Sequence, residues 1–83
     1  MKQKHRMKVT QIGKKAFVFL VNSDRDRFDI DPLTPEQEEK TWKRAQKHAP
    51  ASTKETVSLC LFPFEVDLLK REGYKTKTRY ITI

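Results

Sequence analysis

The sequence predicts a small α+β fold, in which a mixed β-sheet carries two helices on one face in the order β-β-α-β-α-β. Side chains alternate with period two near both ends of the chain, which is typical of strands. A set of helix-capping signals begins at Thr34, and a second helix is indicated between Pro63 and Gly73. Eighty-three residues suffice for one domain, residues 1–83, with a modest core.

The first two elements are predicted to form a β-hairpin. Residues 6–12 are polar and basic, which favours an edge strand. Residues 15–22 carry apolar side chains on both faces, which favours an interior strand. Gly13 and Lys14 would supply the tight turn, because glycine tolerates positive φ. Residues 23–33 are polar and predict a loop.

Residues 34–48 carry the clearest helix signals. Thr34 and Gln37 have the spacing of a capping box, and Pro35 suits the first helical position. Acidic residues in the first turn and basic residues in the last turn match the helix dipole. The apolar stripe of this helix is thin, so we expect Trp42 to anchor it to the core.

The C-terminal part predicts a strand, a helix and a strand. Residues 56–62 are apolar on both faces and favour a central strand, with Cys60 as a buried structural cysteine. A helix over residues 63–72 follows, with Phe64 turned inward, and the last strand begins at Tyr74. This unit predicts either a right-handed crossover between parallel strands or a split arrangement with the N-terminal strands interleaved.

A rival interpretation assigns a helix to residues 52–61. The helix 34–48, the turn at Pro50, Ser-Thr-Lys-Glu-Thr-Val-Ser at 52–58 and Leu-Leu-Lys-Arg-Glu-Gly-Tyr at 68–74 together resemble a winged helix-turn-helix. That resemblance implies a recognition helix, with the C-terminal strand as the wing and duplex DNA as the ligand. A β-strand over the same residues instead favours single-stranded nucleic acid as the ligand, or a duplex that is recognised by its shape.

The formal net charge of +7 is concentrated at the two ends of the chain. Residues 1–15 hold six cations and residues 74–83 hold three, and neither segment contains an acid. If both ends meet on one face of the sheet, they would attract phosphates, so we expect a non-enzymatic protein that binds nucleic acid, DNA or RNA. The predicted contacts are Lys4, Arg6, Lys8, Lys14, Lys15, Lys75, Lys77 and Arg79, with Tyr80 for a base or sugar.

A second hypothesis belongs to a different class of protein. A small basic accessory or inhibitor protein, of the kind that a phage or mobile element carries, would bind an acidic protein partner through the helix 34–48 and the loop 23–33. The residues of that contact would be Glu38, Trp42 and Lys43. An exposed edge strand would also allow a homodimer to form by extension of the sheet.

Several classes of function find little support in the sequence. The acidic residues Asp24, Asp26, Asp29 and Asp31 lack the glycine and glutamate of an EF-hand loop, so we expect no metal and no cofactor. A metal-dependent nuclease using Asp24 and Asp26 is the weakest alternative. One cysteine cannot form an intramolecular disulfide, and no apolar run approaches the about 20 residues of a membrane span. We therefore expect a cytoplasmic protein without a membrane partner.

Overall fold

A computed structural model describes residues 6–49 and 51–82. Within them, three strands form one antiparallel sheet in the order β2-β1-β3, and three helices accompany it. The small α+β class predicted from the sequence is confirmed. The elements in chain order are β1 (Arg6–Gly13), α1 (Lys14–Arg27), α2 (Pro35–His48), β2 (Thr56–Leu59), α3 (Pro63–Arg71) and β3 (Lys77–Thr82).

The predicted N-terminal hairpin is wrong, because residues 15–22 lie in the helix α1. The observed order is β-α-α-β-α-β, with three helices instead of two. An apolar run of this length fits a buried strand or a buried helix equally well, so tertiary packing decides between them. In α1, Ala16, Phe17 and Leu20 are buried, and their spacing places them on one side of a helix.

β1 is the central strand of the sheet, and not the predicted edge strand. Its residues Thr10–Gly13 pair with β2, and its residues Arg6–Gln11 pair with β3. β2, which was predicted to be central, is a short edge strand that ends at Leu59. Because β1 lies between β2 and β3, the split arrangement is the one observed, and the prediction of a mixed sheet with a parallel pair is wrong.

The helix signals at 34–48 are confirmed in α2. The Gln37 amide donates to Thr34 Oγ1 at 3.2 Å, and the Thr34 amide donates to Gln37 Oε1 at 3.0 Å. These two bonds satisfy amides that the first helical turn leaves without a partner. Trp42 is 6% exposed and anchors α2 to the core, as predicted.

The helix predicted over 63–72 is confirmed as α3, but two side chains near it differ from the prediction. Leu69 is fully buried, whereas Phe64 is 56% exposed and does not turn inward. Cys60 is exposed, because β2 ends at Leu59 and the chain leaves the sheet there. Gly73 follows α3 with φ of 85°, the left-handed conformation that glycine adopts most easily.

Residues 52–61 do not form a recognition helix, so the winged helix-turn-helix interpretation is wrong. Thr53 Oγ1 accepts hydrogen bonds from the amides of Glu55 and Thr56, which closes a turn before β2. Threonine hydroxyls that bond nearby amides in this way compete with helix formation. The Gln46 side chain of α2 donates to the carbonyls of Thr53 and Lys54 and holds this turn in place.

The hydrophobic core lies on the face of the sheet that carries Ile12 and Val57, which are directly opposite each other. All three helices contribute to it. The buried helical residues are Ala16, Phe17 and Leu20 of α1, Trp42 of α2 and Leu69 of α3. We call this side of the sheet the helix face. No helix within 6–49 and 51–82 is long and apolar enough to cross a membrane.

Candidate functional site

β1 and β3 extend beyond the rest of the sheet as a two-stranded ribbon. β2 pairs with β1 only from Thr10 onward, whereas β3 pairs with β1 from Arg6. Residues 6–9 and 79–82 therefore have no third strand beside them on the β2 side, and we call this part the β1–β3 ribbon. Five of the six residues of β3 are exposed, and Arg6 and Lys8 of β1 are exposed beside them, whereas Val9 of the ribbon is buried.

The predicted single cationic face does not form, because the register divides the cations between two faces. Residues directly opposite each other in an antiparallel pair share a face. Arg6 lies opposite Thr82 and Lys8 opposite Tyr80, on the helix face. Arg79 lies opposite Val9 and Lys77 opposite Gln11, on the other face, which we call the opposite face. The basic ends do converge on adjacent strands, but their side chains point away from each other.

This division removes the repulsion that two adjacent basic strands would otherwise have. Cations directly opposite each other would have Cβ atoms about 4.5–5.5 Å apart, and such pairs are destabilising. Here each cation of β1 and β3 has a neutral residue directly opposite it. The sheet therefore keeps its basic residues without needing an anion to hold the two strands together.

The strand cations are not neutralised by carboxylates of the chain within the described residues. The ion pairs found there are Lys14–Glu39 and Lys43–Glu39, and both lie on the helices. Arg6, Lys8, Lys77 and Arg79 are all exposed. Their charge is therefore directed to solvent, where a polyanion can reach it.

Lys14 and Lys15 lie in the first turn of α1, and not at a hairpin tip. Cations at this end of a helix oppose its dipole. The Lys14 ammonium is hydrogen-bonded to the Glu39 carboxylate of α2, and that bond lowers the pKa of Glu39 below its usual value. Both lysines are exposed, but Lys14 already has an anion from its own chain, whereas Lys15 has no described carboxylate within 4.0 Å.

The remaining predicted contacts differ in their position. Tyr80 is 64% exposed on the helix face, next to Lys8 across the ladder. Lys75 is exposed in the segment before β3. Lys4 lies outside the described residues.

Comparison with protein-family models, curated proteins and solved structures gave no match. The position, charge and exposure of the ribbon residues are therefore what indicates a ligand.

The contact set of the second hypothesis is not a continuous surface. Trp42 is in the core and cannot contact a partner. Glu38 is partly buried and lines a cleft of about 440 Å³ together with Lys14, Phe19 and Tyr74. Lys43 is exposed, and its Nζ lies 3.9 Å from Glu39 Oε1. The surface of α2 therefore does not present these three residues together to an acidic partner.

The acidic residues of the predicted loop do not converge. Asp24 and Asp26 are exposed on the last turns of α1, and Asp29 and Asp31 follow in the connection to α2. In the parts of the chain that the structure describes, no group of three or more His, Cys, Asp or Glu residues could hold a metal ion. These positions therefore give no geometric support to a nuclease site.

Sequence reasoning missed a cleft between α3 and the helix face of the sheet. Its polar side chains are Lys8, Thr10 and Thr78 from the strands and Asp67 and Lys70 from α3. The sequence contains each of these residues, but only the register and the position of α3 bring them together. It also missed a surface pair of phenyl rings, Phe62 and Phe64, which stack with their centroids 5.8 Å apart.

Proposed function

We propose that this protein binds nucleic acid, DNA or RNA, through the β1–β3 ribbon and the adjoining part of β3, without enzymatic chemistry. The observation that carries the proposal is the set of four exposed cations on two adjacent strands, Arg6, Lys8, Lys77 and Arg79. None of them lies within 4.0 Å of a described carboxylate. Phosphate contacts made by such residues provide affinity without sequence preference.

The position of these cations supports a role in binding the sugar-phosphate backbone of a nucleic acid. Core packing does not require charged residues at these positions, because Lys77 and Arg79 lie on the edge strand β3 and Arg6 and Lys8 of β1 are also exposed. Lysines and arginines on an edge can also serve to prevent unwanted strand pairing. The tyrosine that accompanies them adds an exposed ring, which suits a base or a sugar more than it suits protection of an edge. We propose the cytoplasm as the location, as the sequence predicts.

The test measures the affinity of labelled DNA and RNA oligonucleotides by fluorescence anisotropy as the salt concentration rises from about 50 to 200 mM. The variant lacks all four strand cations (R6A, K8A, K77A and R79A). The matched control loses four exposed helix and loop cations (K40A, R44A, K47A and K54A), so its net charge is the same. We expect the first variant to lose binding and the control to retain most of it.

Two outcomes would count against the proposal. If the unmodified protein binds no oligonucleotide at the lower salt concentration, the ribbon is not a nucleic-acid interface. An acidic protein would then be the remaining polyanionic partner for the same cations. If both variants lose the same affinity, attraction depends on net charge alone and the ribbon has no special role.

A homodimer is the second partner that the geometry allows. Among the described residues, β3 pairs with β1 on one side and with no strand on the other, and such an edge can pair with that of a second copy. Sedimentation of the protein over a concentration series tests this. A single monomeric species at every concentration contradicts the dimer but leaves the proposal for nucleic acid intact.

A further inference from the structure

The two faces of the β1–β3 ribbon differ in what lies beside them. On the helix face, α3 and the sheet enclose a cleft of about 390 Å³. Lys8 and Lys70 both line it, one from the sheet and one from α3. On the opposite face, Lys77 and Arg79 lie beside Gln11 and Val9 across the ladder, and Val9 is only 1% exposed. A ligand could therefore enter a cleft on the helix face, whereas the two cations of the opposite face lie beside a buried valine and a partly buried glutamine.

The chemistry of the cleft matches a phosphate group. Two ammonium groups, from Lys8 and Lys70, supply positive charge, and the hydroxyls of Thr10 and Thr78 supply neutral donors. Thr10 is 3% exposed, so its side chain belongs to the inner wall of the cleft and not to the rim. Charge-assisted hydrogen bonds to phosphate oxygens are shorter and stronger than neutral ones.

One residue of the cleft opposes an anion. Asp67 of α3 lines the same space, and its carboxylate would repel a phosphate. No described cation lies within 4.0 Å of this carboxylate. It lowers the net charge of the cleft side chains from +2 to +1, since Lys8 and Lys70 are the cations there. This feature is useful for a test, because removal of the carboxylate should raise affinity when most substitutions lower it.

A base can stack next to the cleft. Tyr80 is directly opposite Lys8 in the ladder, on the same face, and is 64% exposed. Aromatic rings beside a cationic groove are the usual means by which proteins bind unpaired bases. A phosphate held by Lys8 and a base on Tyr80 would belong to neighbouring parts of one strand. A duplex keeps its bases stacked inside, so it cannot use the ring in this way.

We propose that single-stranded nucleic acid binds along the helix face, with one phosphate in the cleft between Lys8 and Lys70 and an adjacent base on Tyr80. This inference rests on the proposed function and specifies its ligand. It assigns the binding to one face of the ribbon. Lys77 and Arg79, on the opposite face, then attract the nucleic acid by their charge but do not contact the phosphate in the cleft.

The first experiment compares two charge-matched variants, K8A/K70A on the helix face and K77A/R79A on the opposite face. Each loses two exposed cations, so the net charge is the same in both. The probe is a labelled oligothymidylate of about 12 nucleotides, a length within the range that small domains cover. We expect K8A/K70A to weaken binding about tenfold or more, and K77A/R79A to weaken it by no more than about threefold. Circular dichroism confirms that each variant is folded.

The second experiment tests the cleft and the tyrosine ring separately. D67N should tighten binding more than E55Q, which makes the same charge change on the loop before β2. Y80A should weaken binding about five- to a hundredfold, while Y80F, which keeps the ring, should bind nearly as well as the unmodified protein. A duplex of the same length should bind more weakly than the single strand.

The outcomes separate this inference from the function on which it rests. If the unmodified protein binds no oligonucleotide at about 50 mM salt, the proposed function itself fails. If it binds, but the two charge-matched variants lose equal affinity, the assignment to the helix face is overturned; a ribbon inserted in a groove would behave in that way. If D67N and E55Q bind alike, the phosphate does not occupy the cleft.

Discussion

Phe17 of α1 and Trp42 of α2 are in direct aromatic contact, with ring centroids 5.6 Å apart and ring planes inclined at 55°. Both side chains are almost completely buried. α2 is otherwise polar, and Trp42 is its one buried residue. The contact is therefore the main apolar link between α2 and the rest of the molecule, and it stabilises the pair beyond the area that it buries.

Replacement of Trp42 by alanine should destabilise the protein by about 3–5 kcal/mol, since it removes a large buried side chain and leaves a cavity. A domain of this size has a total stability of only about 4–12 kcal/mol, so the variant should be close to unfolding at room temperature. Urea denaturation followed by circular dichroism measures the change. Phe28→Ala is the control, because Phe28 is 73% exposed and its loss should cost about 0.5 kcal/mol or less.

Thr34→Ala should destabilise the protein by about 1 kcal/mol, because it removes the hydroxyl that accepts the Gln37 amide at 3.2 Å. Thr34→Ser keeps the hydroxyl and should retain most of the stability. Thermal unfolding of the two variants makes the comparison. Equal melting temperatures for alanine and serine would show that this cap contributes nothing to stability.

α2 and α3 are predictable from the sequence because the signals that mark them are local. Thr34, Pro35 and Gln37 fix the start of α2 through bonds within four residues, and Pro63 and Gly73 mark α3 in the same way. Such signals do not depend on the rest of the molecule. At 15–22 no capping side chain was present, since Gly13 caps α1 without a side-chain hydrogen bond. The apolar run there had to be assigned by periodicity alone, and the periodicity was ambiguous.

The division of the basic residues between two faces was not predictable from the sequence, because it depends on register. Arg6 and Lys8 have even numbers, and Lys77 and Arg79 have odd numbers. The register pairs even residues with even ones, so the two sets separate. A slip of one residue would have placed them on one face. The alternation within each strand was visible, but the relation between strands is set by the turns and by the packing of the whole fold.

The Lys14–Glu39 contact predicts a pH-dependent contribution to stability. The hydrogen bond from Lys14, with the charge of the same ammonium, lowers the folded-state pKa of Glu39. A carboxyl whose pKa is depressed on folding stabilises the protein at pH values above its unfolded pKa, about 4.3. That contribution is lost as the pH falls through the lower, folded-state value. Glu39→Gln should therefore lower the melting temperature near neutral pH, and this effect should shrink as the pH falls through the folded-state pKa of Glu39.

The control for this pair is Glu36→Gln, at an exposed acidic position in the first turn of the same helix. Both substitutions remove one negative charge from α2, and Glu36 lies in the first turn, where the helix dipole favours an acid most, whereas Glu39 lies just beyond it. Only Glu39→Gln also removes the partner of Lys14. A difference between the two that stays constant from neutral to acidic pH would contradict the assignment. Because the pair is exposed, added salt should reduce the difference at neutral pH.

The two glycines of the chain should respond differently to substitution. Gly73 has φ of 85°, and a Cβ added there would meet nothing within 4 Å, so Gly73→Ala should cost about 1–2 kcal/mol through backbone strain alone.

Gly13 has φ of −83°, and a Cβ there would approach the Glu55 carbonyl oxygen to 3.9 Å, an ordinary contact. Gly13→Ser should therefore be tolerated, and the serine hydroxyl can cap α1, which lacks a side-chain cap, for a gain of about 0.2–0.5 kcal/mol. Urea denaturation of both variants tests this, and destabilisation of Gly13→Ser by as much as Gly73→Ala would show that the sheet at β1 needs glycine for a reason other than its backbone conformation.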